Sequence, residues 1–259
     1  MANDGAGSIA RRIGALELER ITARGWPGLH TEWSDGWLLR AGGGWTGRAN
    51  AALPVHGDGD LDRRLHRVTH WYREHGLAPL VQVPLPVCTA LRDRLVERGW
   101  AMRWGALVMV ADISDVVARA PRRDDLPPVT VAPAPDGAWL AAYHYRGGLL
   151  PAVAIEVLRA GAQPRFLSVV DDGAVVAICR TSVAEDWLGI TAVEVAQTHR
   201  RRGLATHLLM AAIDHARSAG ARHVYLQTER TNAAALALYA RAGFMVHHDY
   251  AYHGPEPIP

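Results

Sequence analysis

The sequence predicts an α/β protein made of two similar halves, each a mixed and mostly antiparallel sheet flanked by helices. Three observations predict this fold class: strands alternate with helices in the second half, an internal repeat relates the halves, and a linker-like segment separates them. The chain has 259 residues, of which 49% are hydrophobic. That length suits two domains of ordinary size, and the composition permits a sizeable core.

The second half of the chain reads as three strands, a helix, a strand, a second helix and a closing strand. Apolar β-branched runs predict the strands, and apolar residues at helical spacing predict the helices. The predicted strands span 166–172, 174–183, 187–195, 223–228 and 244–252, and the predicted helices span 204–218 and 232–243. The turn Asp171-Asp172-Gly173 makes the first two strands a hairpin. Asn232 is a natural N-cap, and Gly220 and Gly243 end the helices.

An internal repeat relates the two halves. When the chain is shifted by 144 residues, 61–100 lies over 205–244 without a gap, and Gly76 and Gly99 fall on the two helix-ending glycines of the second half. Unrelated α/β segments can share such glycines by chance. Because the register holds across two helices and a strand, we favour a structural repeat.

The segment VVARAPRRDDLPPV, 116–129, breaks the periodicity with proline, arginine and aspartate, as is typical of a linker. We therefore place a first domain at 1–115, a linker at 116–128 and a second domain at 129–259. Each of the two domains has a plausible length for an independent compact unit.

Composition excludes several classes of protein. Lys and Arg number 28 against 26 Asp and Glu, and this near-balance argues against a nucleic-acid partner. The two cysteines, Cys88 and Cys179, form no CxxC motif, which argues against a zinc ribbon or a disulfide framework. The N-terminus lacks the apolar core of a secretory signal, and no stretch approaches the ~18 apolar residues of a membrane span. We expect a cytoplasmic protein without a membrane partner.

The stretch HRRRGLAT, 199–206, stands between a predicted strand and a predicted helix. The first turn of a helix has N–H groups without an internal partner, and the helix dipole makes that end positive. Gly203 and Ala205 lack bulk, so an anion can approach the backbone closely. The stretch is therefore either a phosphate cradle or a solvated basic turn. It has neither the GK[ST] of a Walker loop nor a GxGxxG fingerprint.

The surrounding residues favour the cradle. RxxGxA after VEV, with NxxAxxLYxxxGF about thirty residues on, resembles the GCN5-related N-acetyltransferase family over about 129–253. The resemblance implies acetyl-CoA as cofactor, with its pyrophosphate on the cradle and its pantetheine arm along the backbone of the preceding strand. The residues that it assigns to the cofactor are Val193, Val195, Arg200, Arg201, Arg202, Gly203, Leu204, Ala205, Thr206, Asn232 and Tyr239.

The resemblance also implies acetyl transfer to a primary amine by direct attack in a ternary complex. The amine must lose a proton before it attacks the thioester, and protonation of the coenzyme A sulfur helps it to leave. Tyr239 matches the family's tyrosine near the sulfur, although packing alone would also turn it inward. Glu194 is the candidate base, with a substrate-binding or solvated glutamate as the alternative. His144, Tyr145 and Glu156 are weaker candidates in the segment that forms the acceptor pocket.

The first half matches the family less well, so the resemblance implies a tandem of acetyltransferase-like folds with a degenerate first member. His56 stands where a cradle arginine is expected, and Asp58 and Asp60 carry the wrong charge for a phosphate. Leu95 stands at the position of Tyr239. We expect this half to shape the substrate site or to stabilise the chain.

One segment of the first half, GWLLRAGGGWTGRANAALP at 36–54, resembles actinobacterial two-domain members of the family, some of them labelled N-acetylglutamate synthase-like. Trp37, Trp45, Arg48 and Asn50 could face an acceptor such as glutamate, or form a tryptophan-rich hairpin core. Arg48 with Asn50 is a candidate clamp for an acceptor carboxylate, since arginine binds carboxylates through two hydrogen bonds.

Several alternatives stay open. The protein could be a non-catalytic acetyl-CoA-binding regulatory module, or its acceptor could be a protein or peptide amine, and a homodimer is one alternative for its oligomeric state. We predict no metal site. His66 and His70 are expected to face solvent, and His247 and His248 to point to opposite faces of a strand.

Overall fold

A computed structural model describes residues 9–56, 59–144 and 148–255. Within these ranges the helices are α1 (Ile9–Arg12), α2 (Ala15–Gly25), α3 (Leu61–Glu74), α4 (Thr89–Val96), α5 (Ile113–Arg119), α6 (Gly137–Ala142), α7 (Ala152–Arg159), α8 (Leu204–Ser218) and α9 (Ala233–Arg241). The strands are β1 (His30–Ser34), β2 (Trp37–Ala41), β3 (Leu53–Pro54), β4 (Val81–Leu85), β5 (Trp100–Asp112), β6 (Val129–Ala132), β7 (Arg165–Asp171), β8 (Ala174–Ala184), β9 (Trp187–Val195), β10 (His223–Thr228) and β11 (Met245–Pro255). None of the helices in these ranges has the length and apolarity to cross a bilayer.

These strands form two sheets. β1, β2 and β3 make a small antiparallel sheet, and the other eight strands follow the order β4-β11-β5-β10-β9-β8-β7-β6. In the larger sheet only the β9–β10 pair is parallel among the described strands. The predicted α/β class with a mixed, mostly antiparallel sheet is confirmed.

The two halves exchange their last strands. β5 ends the first half, yet it pairs with β10 and β11 of the second half. β11 ends the second half, yet it pairs with β4 and β5 of the first half. Each half therefore completes its part of the sheet with a strand from the other, an arrangement that the sequence did not predict.

The predicted elements of the second half are confirmed. β9, α8 and β10 have the predicted bounds, and Asn232 caps α9 through its side chain. β11 runs past its predicted end to Pro255, because β5 remains paired with it there, Pro255 opposite Trp100.

The repeat has a structural counterpart. α3, β4 and α4 follow one another in the first half as α8, β10 and α9 do in the second. The four glycines that coincide in the shifted sequence all have left-handed backbones, with φ of 67° at Gly76, 72° at Gly99, 89° at Gly220 and 97° at Gly243. Glycine adopts this conformation without steric cost, and the same helix ends therefore recur in both halves.

The connection between the halves is partly helical. α5 takes up the first residues of the predicted linker, because Val116 is fully buried in the core. The remaining residues, 120–128, form no helix or strand and are held against α8. Arg122 pairs with Asp214 through two hydrogen bonds of 2.7 and 2.8 Å, and His207 Nε2 lies 2.9 Å from the Pro127 carbonyl oxygen. The division into two domains stays a prediction.

The sheet of the second half has two differently covered faces. On β10, Val224 and Leu226 pack into the core cluster that includes α8. Because side chains alternate along a strand, Tyr225 and Gln227 lie on the other face, here called the face opposite α8. An aromatic cluster on that face combines Trp26 and Trp45 of the first half with Trp139 and Tyr143 of the second.

Candidate active site

β9 and β10 start as neighbours and then separate. Their pairing runs from Trp187 opposite His223 to Ile190 opposite Leu226, but β9 continues to Val195. On its other side β9 stays paired with β8 along this length. The edge of 191–195 that lies away from β8 therefore faces a gap between β9 and β10. This edge is here called the free edge of β9.

A bulge lies at the start of this free edge. Glu194 pairs with Ile178 and Thr191 with Arg180, so two residues of β9 lie opposite one residue of β8. Ala192, in the bulge, has a φ of 50°. A left-handed backbone costs a non-glycine residue about 1–2 kcal/mol. Bulges re-aim neighbouring groups, and such strain is concentrated at functional sites.

The connection from β9 to α8 carries the predicted cradle. Arg201 and Gly203 are both left-handed, with φ of 62° and 91°. Gly203 is the N-cap of α8, and no side chain caps this helix. The first hydrogen bond within the helix runs from the His207 N–H to the Gly203 carbonyl, so the N–H groups of the first three helical residues point out of it. This end of α8 is therefore suited to an anion.

The three arginines of the loop have different surroundings. Arg200 Nε donates to the carbonyl of Val195 at 3.2 Å, at the end of the free edge. Arg202 pairs with Asp171 at 3.3 Å and is partly neutralised by it. Arg201 is exposed to solvent. Positive charge thus surrounds the cradle on several sides.

A fourth guanidinium lies against the cradle. Arg123, in the 120–128 segment, donates to the carbonyl of Arg202 at 3.1 Å and pairs with Asp125 at 2.6 Å. A Cβ atom on Gly203 would lie 2.6 Å from Arg123 Nη1. The contact of Arg123 with the loop spans 79 positions and has no local pattern, so the sequence did not predict it.

Glu194 and His144 are brought together on the face opposite α8. Glu194 Oε2 accepts the backbone N–H of His144 at 2.8 Å, and Oε1 lies 3.3 Å from the ring Nδ1. The Glu194 side chain, 26% exposed, borders a cleft of about 660 Å³. Glu194 therefore both faces open space and holds the segment after α6. Glu156 is exposed on α7, and Tyr145 lies outside the described residues.

The two predicted cofactor residues on α9 have different settings. Asn232 is exposed, and its Oδ1 accepts the N–H of Ala235 at 3.1 Å. Tyr239 is buried, and its ring centroid lies 5.3 Å from that of Phe244. Burial raises the pKa of the Tyr239 hydroxyl well above its usual range, so the group keeps its proton at neutral pH. A protonated hydroxyl suits an acid, and the packing accounts equally for its position.

The first half fills the corresponding helix end with its own carboxylate. Asp60 caps α3, and its Oδ1 accepts the N–H groups of Asp62 and Arg63 at 2.9 and 3.4 Å. These are the groups that a phosphate would use. Leu95 is fully buried in the first-half core, and Asp58 lies outside the described residues.

The loop 42–50 of the first half lies on the face opposite α8 and is organised by Asn50. The Asn50 Oδ1 accepts two backbone N–H groups of the loop at 2.7 and 2.9 Å, and Nδ2 donates to two of its carbonyls at 2.8 Å. All four hydrogen-bonding positions of this amide are used. The predicted carboxylate clamp is therefore wrong for Asn50. Trp37 belongs to the first-half core, and Trp45 to the aromatic cluster between the halves.

The prediction for His247 and His248 is wrong. A bulge in β11 after Val246 breaks the alternation of side chains, and the two Nδ1 atoms lie 2.8 Å apart. His248 also lies 3.0 Å from the buried Glu19 carboxylate. In the described ranges, no group of three or more histidine, cysteine, aspartate or glutamate side chains is arranged to hold a metal ion.

Comparison with known proteins agrees with this geometry. A protein-family profile described as "Probable histone acetyltransferase Rv0428c C-terminal" matches residues 14–253. The probable histone acetyltransferase Rv0428c of Mycobacterium tuberculosis is 31% identical over 247 residues, which cover 91% of this chain and 72% of that protein. The uncharacterized N-acetyltransferase YobR of Bacillus subtilis is 26% identical over 239 residues, with coverage of 88% and 93%.

Solved structures share the fold. A GCN5-related N-acetyltransferase from Kribbella flavida matches with a TM-score of 0.68 over 98% of both chains, at 15% identity. A tandem GNAT protein from the clavulanic acid biosynthesis pathway matches with a TM-score of 0.62 over 86% of this chain and 78% of that one, at 14% identity. The matched family profile and the relatives named as acetyltransferases thus define the class of protein as an acetyltransferase. The chain belongs to the GCN5-related N-acetyltransferase (GNAT) family.

Proposed function

We propose that the protein is an acetyl-CoA-dependent N-acetyltransferase that moves acetyl to a primary amine of a small molecule or amino acid. The observation that carries the proposal is the free edge of 191–195 leading directly to the uncapped N-terminus of α8. Acetyltransferases of this family generally use acetyl-CoA. The pantetheine arm of acetyl-CoA would pair with the free strand edge, and the pyrophosphate at its end would bind the helix N-terminus that follows.

The residues present fit this cofactor. Left-handed Gly203 leaves the first turn of α8 open to a large anion. Arg200 and Arg201 add positive charge around it, and no side chain caps the helix end among the described residues. Arg123 also lies against the loop, with its charge paired to Asp125. When bound, acetyl-CoA supplies an acetyl group activated as a thioester. The residues that would hold it are Val193, Val195, Arg200, Arg201, Arg202, Gly203, Leu204, Ala205, Thr206, Asn232 and Tyr239.

Glu194 is proposed to accept the proton of the amine. A primary amine is protonated at neutral pH and must lose that proton before it can attack. The Glu194 carboxylate borders a cleft and is oriented by the His144 N–H, so it can take the proton directly or through an ordered water. The alternative is that Glu194 binds the acceptor.

Direct transfer, without an acyl-enzyme, is supported by the state of both thiols. Burial raises the pKa of Cys88 to about 11 and that of Cys179 to about 12. Because the thiolate is the reactive form of cysteine, both thiols are protonated and poorly nucleophilic at neutral pH.

Tyr239→Phe tests the proposed acid. We expect kcat to fall by about 10²-fold, with little change in KM or in the free energy of unfolding, because phenylalanine keeps the contact with Phe244 and removes only the hydroxyl. The raised pKa of Tyr239 keeps the hydroxyl protonated as the pH approaches 10, so the wild-type rate will not decline through its ionisation there. Steady-state kinetics across pH measure both effects. Unchanged turnover at every pH would assign Tyr239 to packing.

The function itself is tested by calorimetry with acetyl-CoA, followed by coenzyme A release with a panel of amines. Binding and release support the proposal. Binding without release by any amine favours the non-catalytic module, and no binding at high micromolar protein contradicts the proposal.

A protein amine is a second candidate acceptor. It is supported by the name of the 31% identical relative, a probable histone acetyltransferase. Lysine-containing peptides therefore belong in the same amine panel, where preferential coenzyme A release with a peptide would favour this candidate over a small molecule.

A further inference from the structure

The face opposite α8 holds an arginine, Arg48, whose side chain contacts a neutral amide and an aromatic ring. Arg48 lies in a 3-10 turn, Gly47–Ala49, of the loop that Asn50 organises. Its Nη1 donates to Gln227 Oε1 at 2.9 Å, and its guanidinium carbon lies 4.5 Å from the centre of the Trp26 ring. Among the described residues, the side chain to which Arg48 donates is the neutral Gln227 rather than a carboxylate. Arg48 is thus held in place by a neutral amide and an aromatic ring.

Gln227, the hydrogen-bond partner of Arg48, lies where β9 and β10 separate. It follows Leu226, the last residue of β10 that pairs with β9. Its Oε1 is occupied by Arg48, but its Nε2 is buried and has no hydrogen-bond partner among the described residues. A buried donor without a partner is costly, and it calls for an explanation such as a ligand that accepts its hydrogen bond.

A second guanidinium strengthens the positive field. Arg180 lies 4.8 Å from the centre of the same Trp26 ring and is buried. It donates to the carbonyls of Leu158, Gly25 and Ala160 rather than to a carboxylate. Burial lowers the pKa of Arg180 to about 10, so it remains charged at neutral pH. Two guanidinium groups therefore lie against one indole ring, and both donate hydrogen bonds to neutral groups of the described residues.

A small cleft gives access to Arg48 and Gln227. Its volume is about 180 Å³, and Thr228, Tyr250 and Tyr252 also line it. A cleft of this size suits a small polar group. Glu229 also borders the cleft and is exposed to solvent.

We propose that the acceptor carries a carboxylate besides its amine, and that this carboxylate binds Arg48 and the Gln227 Nε2. The inference rests on the proposed function and names its substrate class, amino-acid-like acceptors. Two convergent donors, one of them charged, match the two oxygens of a carboxylate. A polyamine would instead bring a second positive charge to Arg48 and is disfavoured.

The test uses a pair of probes that differ in charge, N-acetylglycine and N-acetylglycinamide, together with the corresponding β-alanine pair. Each is titrated into the full-length protein with and without coenzyme A, and the Nε–Hε NMR signal of Arg48 is followed, assigned by its absence in Arg48→Lys. We expect a saturable shift, with the carboxylates binding about 10- to 100-fold more tightly than the amides, as for a hydrogen bond to a charged group. Absence of a saturable shift, or equal affinities within each pair, overturns the proposal.

Arg63→Gln is the matched control for Arg48→Gln. Arg63 has a side chain that is 75% exposed and pairs with Asp35 on the first half. Arg48→Gln is expected to lose the preference for carboxylates, and Arg63→Gln to keep it. Failure of the proposed function is seen separately, as absence of acetyl-CoA binding to the wild type. Equal binding of carboxylate and amide to a protein that does bind acetyl-CoA contradicts only the present inference.

Discussion

Gly203→Glu is expected to abolish acetyl-CoA binding while the chain stays folded. The new carboxylate would stand at the uncapped N-terminus of α8, beside Arg123, and would occupy the anion site itself. It would also repel a pyrophosphate at short range. We expect the dissociation constant to rise by about 100-fold or more, close to 3 kcal/mol. The first half already shows this arrangement, because Asp60 occupies the N-terminus of α3.

The matched control is Gly220→Glu, at the other end of the same helix. Gly220 is also left-handed, with φ of 89°, and has open space where a Cβ would stand. Both variants therefore carry the same backbone strain of about 1–2 kcal/mol, but only Gly203 lies in the cradle. Calorimetry with acetyl-CoA measures binding, and thermal unfolding confirms the fold. Equal weakening in both variants would place the cofactor away from α8.

Neither half is expected to fold when expressed alone as 1–128 or 129–259. In the sheet, β5 pairs with β10 and β11, which both belong to the second half. β11 pairs with β4 and β5, which both belong to the first half. Each fragment would therefore carry a last strand without any partner in its own chain. In the first fragment the apolar side chains of Val108 and Val110, fully buried in the intact protein, would become exposed. Unpaired edges and exposed apolar strands favour aggregation.

Mixing the two fragments is expected to restore the fold, because the exchanged strands then find their neighbours. Circular dichroism and NMR dispersion of each fragment, alone and mixed, measure this. As a control, the full-length protein is cleaved within 120–128 after folding and should remain a complex. Well-dispersed spectra from the separate fragments would show two independent domains and contradict the expectation.

Patterns among neighbouring residues predicted most of the helices and strands of the second half. Strand alternation, helical spacing, the Asn232 cap and the left-handed glycines all act within a few residues, and β9, α8 and β10 have the predicted bounds. Predictions from sequence were wrong where an inserted residue or a hydrogen-bond partner changed the direction or the contacts of a side chain. The bulge in β11 brings the side chains of His247 and His248 together. The Asn50 amide is fully hydrogen-bonded within its own loop, so it cannot bind an acceptor carboxylate as predicted.

The sequence alone determined the strand–cradle–helix connection at 187–218, because a glycine at a helix start and an alternating strand are properties of neighbouring residues. Only the tertiary structure decided which half supplies each strand of the sheet and which side chains meet on the face opposite α8. Arg48 and Gln227 are 179 positions apart, and Arg123 reaches the cradle across 79. Such contacts leave no periodic pattern, since they depend on how edges and faces pack rather than on the preferences of each segment.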